Sequence, residues 1–293
     1  MGSRAGRQPG VWSGLPRELG RRAFGGDPPA YDAARPPYPE ALYDLLAQRC
    51  GLGPASRIFE IGPGTGIATR ALLRRGAGSV TLVEPDPRLA RWLRGSLRPW
   101  AGRVTIVNAT FEQADLEPAG FDLGVSATAF HWLAERSALR KVARLLRPGG
   151  WWAAWWNVYG DPARRGPLHR ALDPLYDELE GRGRLRARWE PFQMNRRDRE
   201  LALRRSGRFR RILSTVYRRT LPLGTAEVVA LYATYGSVVS LPPERRAGFL
   251  GELTRIVEER FAGRVALRVL TPLYVAQRLG PRLRPGRPRP ERK

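Results

Sequence analysis

At 293 residues with 42% hydrophobic side chains, the chain can bury a sizeable core, most simply as one α/β domain carrying an insertion. The single cysteine, Cys50, excludes an internal disulfide, and no Cys/His cluster has the spacing of a metal site. A formal net charge of +24 invites a nucleic-acid reading, but lysine stands only at positions 141 and 293 among 51 basic residues, so the excess reads as a chain-wide arginine bias.

Residues 1–25, with five arginines against one glutamate, read as a flexible basic leader. Residues 30–39 are too proline-rich for a long helix, whereas Glu40–Ala47 has apolar helical spacing. Arg57–Ile61 is predicted as the first strand, with a helix over Gly66–Arg75 behind it. Ser79–Val83 is the second strand, and Arg88–Ser96 its helix. Val104–Val107 and Phe121–Ser126 follow as strands, and Ala134–Leu146 as a helix stopped by Arg147-Pro148-Gly149-Gly150. Trp151–Trp156 is strand five. This alternation favours a parallel sheet with helices on both faces.

The later half loses that rhythm. Residues 160–207 are charged and helical in texture, with Gly181-Arg182-Gly183-Arg184 as a break and Tyr176, Trp189, Phe192 and Met194 as candidates for a lid. Twelve arginines against three acids between Arg182 and Arg211 fit a solvated face or a preference for an acidic substrate. Phe209–Tyr217 is predicted as strand six, Ala226–Tyr235 and Pro243–Phe261 as helices, and Val265–Val275 as the last strand. Residues 281–293 form a Pro/Arg/Gly tail. The division expected is a leader (1–25), a cofactor-binding part (26–159), a helical insertion (160–207), a C-terminal part of the core (208–280) and a basic tail (281–293).

The chemistry concentrates at Glu60-Ile61-Gly62-Pro63-Gly64-Thr65-Gly66. An acid closes an apolar run, and three glycines in five residues permit a sharp turn and close approach of a ligand. Eighteen residues beyond Gly66, Glu84 closes the run Val80-Thr81-Leu82-Val83, where an acid can accept both hydroxyls of a ribose. The spacing departs from Gly-x-Gly-x-x-Gly, and Glu60 before the turn repels a diphosphate but suits a cationic group. No Gly-Lys-Ser/Thr follows, which excludes a Walker A loop.

With these residues the chain resembles the class I S-adenosylmethionine-dependent methyltransferases, in particular the type-11-like small-molecule enzymes. The resemblance implies a Rossmann-like seven-stranded, mostly parallel sheet with an antiparallel final strand and a helical substrate lid. It implies S-adenosyl-L-methionine as cofactor, with Glu60 toward its amino end and Gly62, Gly64 and Gly66 beside its methionyl and ribose parts. Glu84 would take the ribose hydroxyls, with Pro85 on the adenine face and Asn108, Ala109, Thr110 and Phe111 at the adenine edge. Ser126 would lie near the sulfonium. Tyr31-x-x-x-Arg35-Pro36-x-Tyr38-Pro39 looks like a segment that closes over the cofactor, with Arg35 forked onto its carboxylate.

The acceptor side is less legible. His131 is the best general-base candidate, since imidazole titrates near neutrality, and it can also serve as an orienting hydrogen-bond partner. Phe130, Trp156 and Tyr159 are candidates to contact the acceptor. The Asp/Asn-Pro-Pro-Tyr/Phe signature of amino-directed enzymes is absent, which counts against DNA adenine methylation. The expectation is methyl transfer to a small molecule, acidic or aromatic, with oxygen preferred as acceptor atom. An RNA or protein methyltransferase and a noncatalytic polyanion-binding protein are the alternatives, and the basic termini suit nonspecific polyanion contact. With no eighteen-residue apolar run and no basic-then-apolar leader, a cytoplasmic protein without membrane contact is expected. The sequence leaves the oligomeric state open.

Overall fold

A computed structural model of the chain describes residues 24–180 and 191–280. The leader through residue 23, the Gly/Arg break with Trp189, and the tail 281–293 lie outside the described residues.

Five strands run parallel: β1 (Arg57–Ile61), β2 (Ser79–Val83), β3 (Val104–Val107), β4 (Phe121–Ala127) and β5 (Leu146–Trp155). Three more are β6 (Val158–Tyr159), β7 (Phe209–Gly224) and β8 (Arg264–Arg278). The sheet order is β3-β2-β1-β4-β5-β8, with β7 on the far edge of β8, and β8 antiparallel to both its long neighbours. The Rossmann-like, mostly parallel arrangement expected from the sequence is therefore present, with the final strand inserted before strand six.

Three departures have local causes. β6 adds an eighth strand of two residues, which pairs with Val269 and Leu270 beyond the end of β5 and is too short to show a period. The predicted stop at Arg147–Gly150 is instead a bulged start of β5: the pairing with β4 jumps from Phe121–Leu146 to Leu123–Trp151. β7 runs on to Gly224 through Pro222, which an edge strand tolerates because its nitrogen need not join a ladder.

Strand alternation splits the tryptophans of β5 between two cores. Trp152 and, just past the strand, Trp156 pack with Phe59, Phe111, Phe121 and Phe130 on one face. Trp155 packs with Leu42, Tyr43, Leu46, Ile58 and Leu72 on the other. Gly124 on β4 lies under the Phe59 ring, which occupies the space of a side chain. β7 and β8 continue past the sheet as a two-stranded ribbon. Around its far end pack the helices Pro167–Ala171, Thr225–Ala233 and Pro243–Phe261, with Leu168, Leu231, Tyr232, Phe249, Leu253 and Leu267 in a third core. Tyr176 belongs to this third core, edge-on to Phe249 at 5.6 Å. Among the described residues no helix is long and apolar enough to cross a membrane.

Candidate functional site

A cavity with about 250 Å³ of free volume opens where β1, β2 and β4 end. Ligand sites of open α/β sheets form there because the strand ends leave a crevice between connections leading to opposite faces. The backbone ladder extends past the strands to shape the rim: Gly62 donates to the Val83 carbonyl at 2.9 Å and Glu84 to the Val107 carbonyl at 3.1 Å. The turn after Ile61 then needs left-handed backbone at Gly62 (φ 63°) and Gly64 (φ 61°). A Cβ on Gly62 would strike the Ala129 side chain at 2.6 Å, whereas one on Gly64 would meet nothing within 4 Å. Gly64 thus presents bare backbone to the open cavity.

Glu84 lines the cavity and is almost fully buried. Its Oε2 accepts from the Gly64 N–H at 3.1 Å and its Oε1 from the Asp86 N–H at 2.9 Å. Burial raises the carboxyl to about 8, against the pull of those two amides. Pro85, Thr110 and Phe111 stand beside it on the wall. Asn108 does not reach the cavity wall; its amide donates to the Glu84 carbonyl at 2.8 Å and so braces that corner. Ala109 also leaves the wall and packs against the first core.

Glu60 lies beneath the turn. It is fully buried, with Thr69 Oγ1 donating to Oε2 at 2.7 Å and Oε1 without a partner, and burial raises it to about 7. The expected contact with a ligand amine is therefore not direct. Gly66 sits behind the turn, its α-carbon turned toward Leu93. Ser126 is also displaced from expectation: strand alternation turns it into the sheet, where its hydroxyl donates to the Ile61 carbonyl at 3.0 Å. Its neighbours Ala127 and Thr128 face the cavity instead.

Tyr31 and Arg35 close one wall. The Arg35 guanidinium lies over the rings of Tyr31, Tyr159 and Tyr235 at 5.1, 5.3 and 5.2 Å, and its Nη2 donates to the Thr234 carbonyl at 2.8 Å. Its Nε is buried without a partner, and among the described residues no carboxylate pairs with it. Asn157 anchors this segment: its amide nitrogen donates to the Pro36 carbonyl at 3.0 Å while its oxygen accepts from Thr271 Oγ1 at 2.8 Å.

His131, Trp156 and Tyr159 line the cavity, but Phe130 does not. It is buried against Trp152 at 5.0 Å, because the 3-10 turn Phe130–Trp132 rotates successive side chains apart. Of the lid candidates, Phe192 lies edge-on to Trp156 at 5.9 Å, and Met194 packs on the first core. Among the described residues of the span 160–207 only Gln193 reaches the wall, and the cover comes from Tyr235, Gly236 and Ser237. Thr128, Tyr235 and Gln193 are among the wall residues that carry no sequence signal as site residues. Thr128 adopts a left-handed φ of 56°, uncommon for a β-branched residue, and shares a hydrogen bond with Tyr38 Oη at 2.8 Å.

These groups fit a nucleoside bearing an amino acid. A buried acid stands for the sugar, bare backbone for close approach, and a buried guanidinium with a spare N–H for a carboxylate; Thr65 Oγ1, also on the wall, is a further buried polar atom without a partner.

Residues 59–154 match the methyltransferase domain family. An uncharacterized methyltransferase of Mycobacterium tuberculosis is 34% identical over 136 residues, which span 46% of this chain and 52% of that protein. The chain thus spans about half the length of the curated relatives it matches. Among solved structures, a proposed type II methyltransferase from Anaeromyxobacter dehalogenans superposes with a TM-score of 0.55 at 24% identity, over 84% of this chain and 99% of that one. Phosphoethanolamine N-methyltransferase 2 of Haemonchus contortus, solved with S-adenosyl-L-methionine, gives 0.55 at 14% identity over 90% and 60%. Residues 59–154, which carry the glycine turn, Glu84 and the first strands of the sheet, are thus similar to the methyltransferase domain family.

Proposed function

We propose that the chain transfers a methyl group from S-adenosyl-L-methionine to a small-molecule acceptor, with oxygen as the preferred acceptor atom. The observation that carries the reading is Glu84, a buried carboxylate on the cavity wall hydrogen-bonded to the tip of the glycine turn. When bound, the cofactor supplies a methyl group made electrophilic by a sulfonium.

The chain's own residues supply position. Glu84 keeps lone pairs for the ribose hydroxyls, and Pro85 and Phe111 offer apolar surface for the base. The spare N–H of Arg35 would be available to the methionyl carboxylate, in keeping with the Tyr31-to-Pro39 segment closing over the site. Holding acceptor and methyl in line beside aromatic walls would supply the rate gain. A cavity of about 250 Å³ with aromatic walls favours a small acceptor over a polymer.

Calorimetric titration with S-adenosyl-L-methionine and with NAD tests the reading. Binding of the first and not the second is expected, and Glu84→Ala should weaken it. Preference for NAD would end the proposal. Methyl incorporation into RNA or protein at low salt would replace the small-molecule acceptor.

A further inference from the structure

We infer that His131 works as a neutral hydrogen-bond donor through Nε2, not as a proton acceptor, and that the methyl acceptor enters this cavity as a carboxylate. The second half rests on the methyl-transfer reading above; the first stands on the geometry alone.

An indole N–H can only donate. Trp156 Nε1 lies 3.0 Å from His131 Nδ1, so Nδ1 must hold a lone pair, and the single hydrogen of the neutral ring sits on Nε2. The indole cannot turn away, since Trp156 is buried between Phe192 and Tyr274, whose rings lie 5.9 and 6.2 Å from its own. Protonating the imidazole would set a second N–H against the indole N–H. Nothing nearby would stabilise the cation. The ring faces Trp132 at 4.7 Å and Phe192 at 6.5 Å, and the charged group behind Phe192 is Arg199, itself paired with Glu135 at 2.9 Å. Burial accordingly lowers the imidazole to about 3. His131 lines the cavity, and its Nε2 takes no partner among the described residues, so the remaining donor is free for a ligand.

No other wall residue replaces it as a base. Glu84 is the one carboxylate among the lining residues, and both its oxygens hold backbone amides. Burial pushes the phenols of Tyr38, Tyr159 and Tyr235 up, the Tyr31 ring lies under the Arg35 guanidinium, and among the described residues no Asp, Lys or Cys lines the cavity. Alcohols, phenols and carbon acids need a base to become nucleophiles, and this wall offers none. An ammonium-bearing acceptor would enter against Arg35 and the donor's two positive groups. A carboxylate meets neither obstacle. It arrives ionised, it accepts from the Nε2–H, and its charge opposes that of the sulfonium.

The step balances without a proton transfer. A carboxylate oxygen lone pair forms the O–CH3 bond, the S–CH3 pair leaves on sulfur, and the products are a methyl ester and a neutral thioether. Opposite charges vanish together, which a wall of aromatic side chains favours over water.

The chain contains two histidines, His131 and His169, so side-chain 15N NMR resolves both; His131→Gln assigns the signals. From pH 5 to 8, His131 should stay neutral with its hydrogen on Nε2. Titration within that range, or a hydrogen on Nδ1, overturns the donor role. For the acceptor class, phenylacetate, 2-phenylethanol and 2-phenylethylamine are titrated into the protein saturated with S-adenosylhomocysteine. The acid should bind at least tenfold more tightly than its matched alcohol and amine, a preference kept in His131→Gln and lost in His131→Phe. Any other order, including no binding by the acid, overturns the carboxylate. Failure of S-adenosylhomocysteine itself to bind would instead reject the methyl-transfer reading and leave the NMR result to judge His131.

Discussion

Gly64 donates its backbone N–H to Glu84 Oε2 across 3.1 Å, so the end of β2 holds the tip of the glycine turn that follows β1. The bond is made inside the protein, between two groups that would otherwise be buried without partners, and it sets the carboxylate before any ligand arrives. Glu84→Ala should therefore have two effects. Loss of the hydrogen bonds to both ribose hydroxyls predicts a rise in the donor dissociation constant of about tenfold to a hundredfold. The amides of Gly64 and Asp86 also lose their acceptor, so thermal stability should fall. Calorimetry and a melting curve on the same variant check both, and unchanged donor affinity would remove Glu84 from the site.

Gly62 and Gly64 share a left-handed backbone but not the same surroundings. Gly64→Ala adds about 1–2 kcal/mol of backbone strain and places a methyl in open space where donor is expected. Its main effect should be on donor affinity. Gly62→Ala adds the same strain and a collision with the Ala129 side chain, so it should destabilise the fold more. Chemical denaturation of the pair would refute this if Gly64→Ala proved the less stable.

Glu60 and Glu84 stay protonated in the folded chain well above their ordinary value of 4.5, to about 7 and about 8, because burial penalises their charge. The unfolded chain loses those protons earlier. Stability should therefore fall as pH rises from 6.5 to 8, by up to about 1.4 kcal/mol per pH unit for each carboxyl still protonated. His131, lowered by burial, acts in the other direction but only below pH 6.5. Urea denaturation across this range measures the slope, which Glu84→Gln should flatten. A flat profile would show that these acids are ionised in the folded protein.

Arg35 over three tyrosine rings is a planar cation held by stacking and by the Thr234 carbonyl. Lysine keeps the charge but loses the plane and the fork. Arg35→Lys should weaken donor binding about tenfold while leaving most of the fold in place. Wild-type affinity in this variant would assign the guanidinium a structural role only.

Cys50 is buried, and burial pushes its thiol up to about 12. It should resist iodoacetamide in native buffer and react fully in guanidinium, a contrast that mass spectrometry reads directly. Fast labelling of the native chain would mean that the helix Glu40–Cys50 opens readily.

The donor end of the cavity was legible in the sequence because its residues are local. Glu60 to Gly66 and Val80 to Pro85 each combine one strand with the turn that follows it, and strand period, glycine backbone and a closing acid all act within a few residues. The acceptor end was not. Arg35 meets Tyr235 across the whole fold, Asn157 joins Pro36 to Thr271, and Trp156 settles which nitrogen of His131 carries hydrogen. Ser126 and Phe130 show the same limit from the other side. Each stands at the right place along the chain, yet a half-turn of backbone directs it into the core. The sequence by itself determined the fold class and the glycine turn with its two closing acids, since each follows from periodicity and short-range backbone chemistry. Only the tertiary structure decided which side chains face the cavity and what His131 can do, because direction and protonation depend on neighbours brought in from distant parts of the chain.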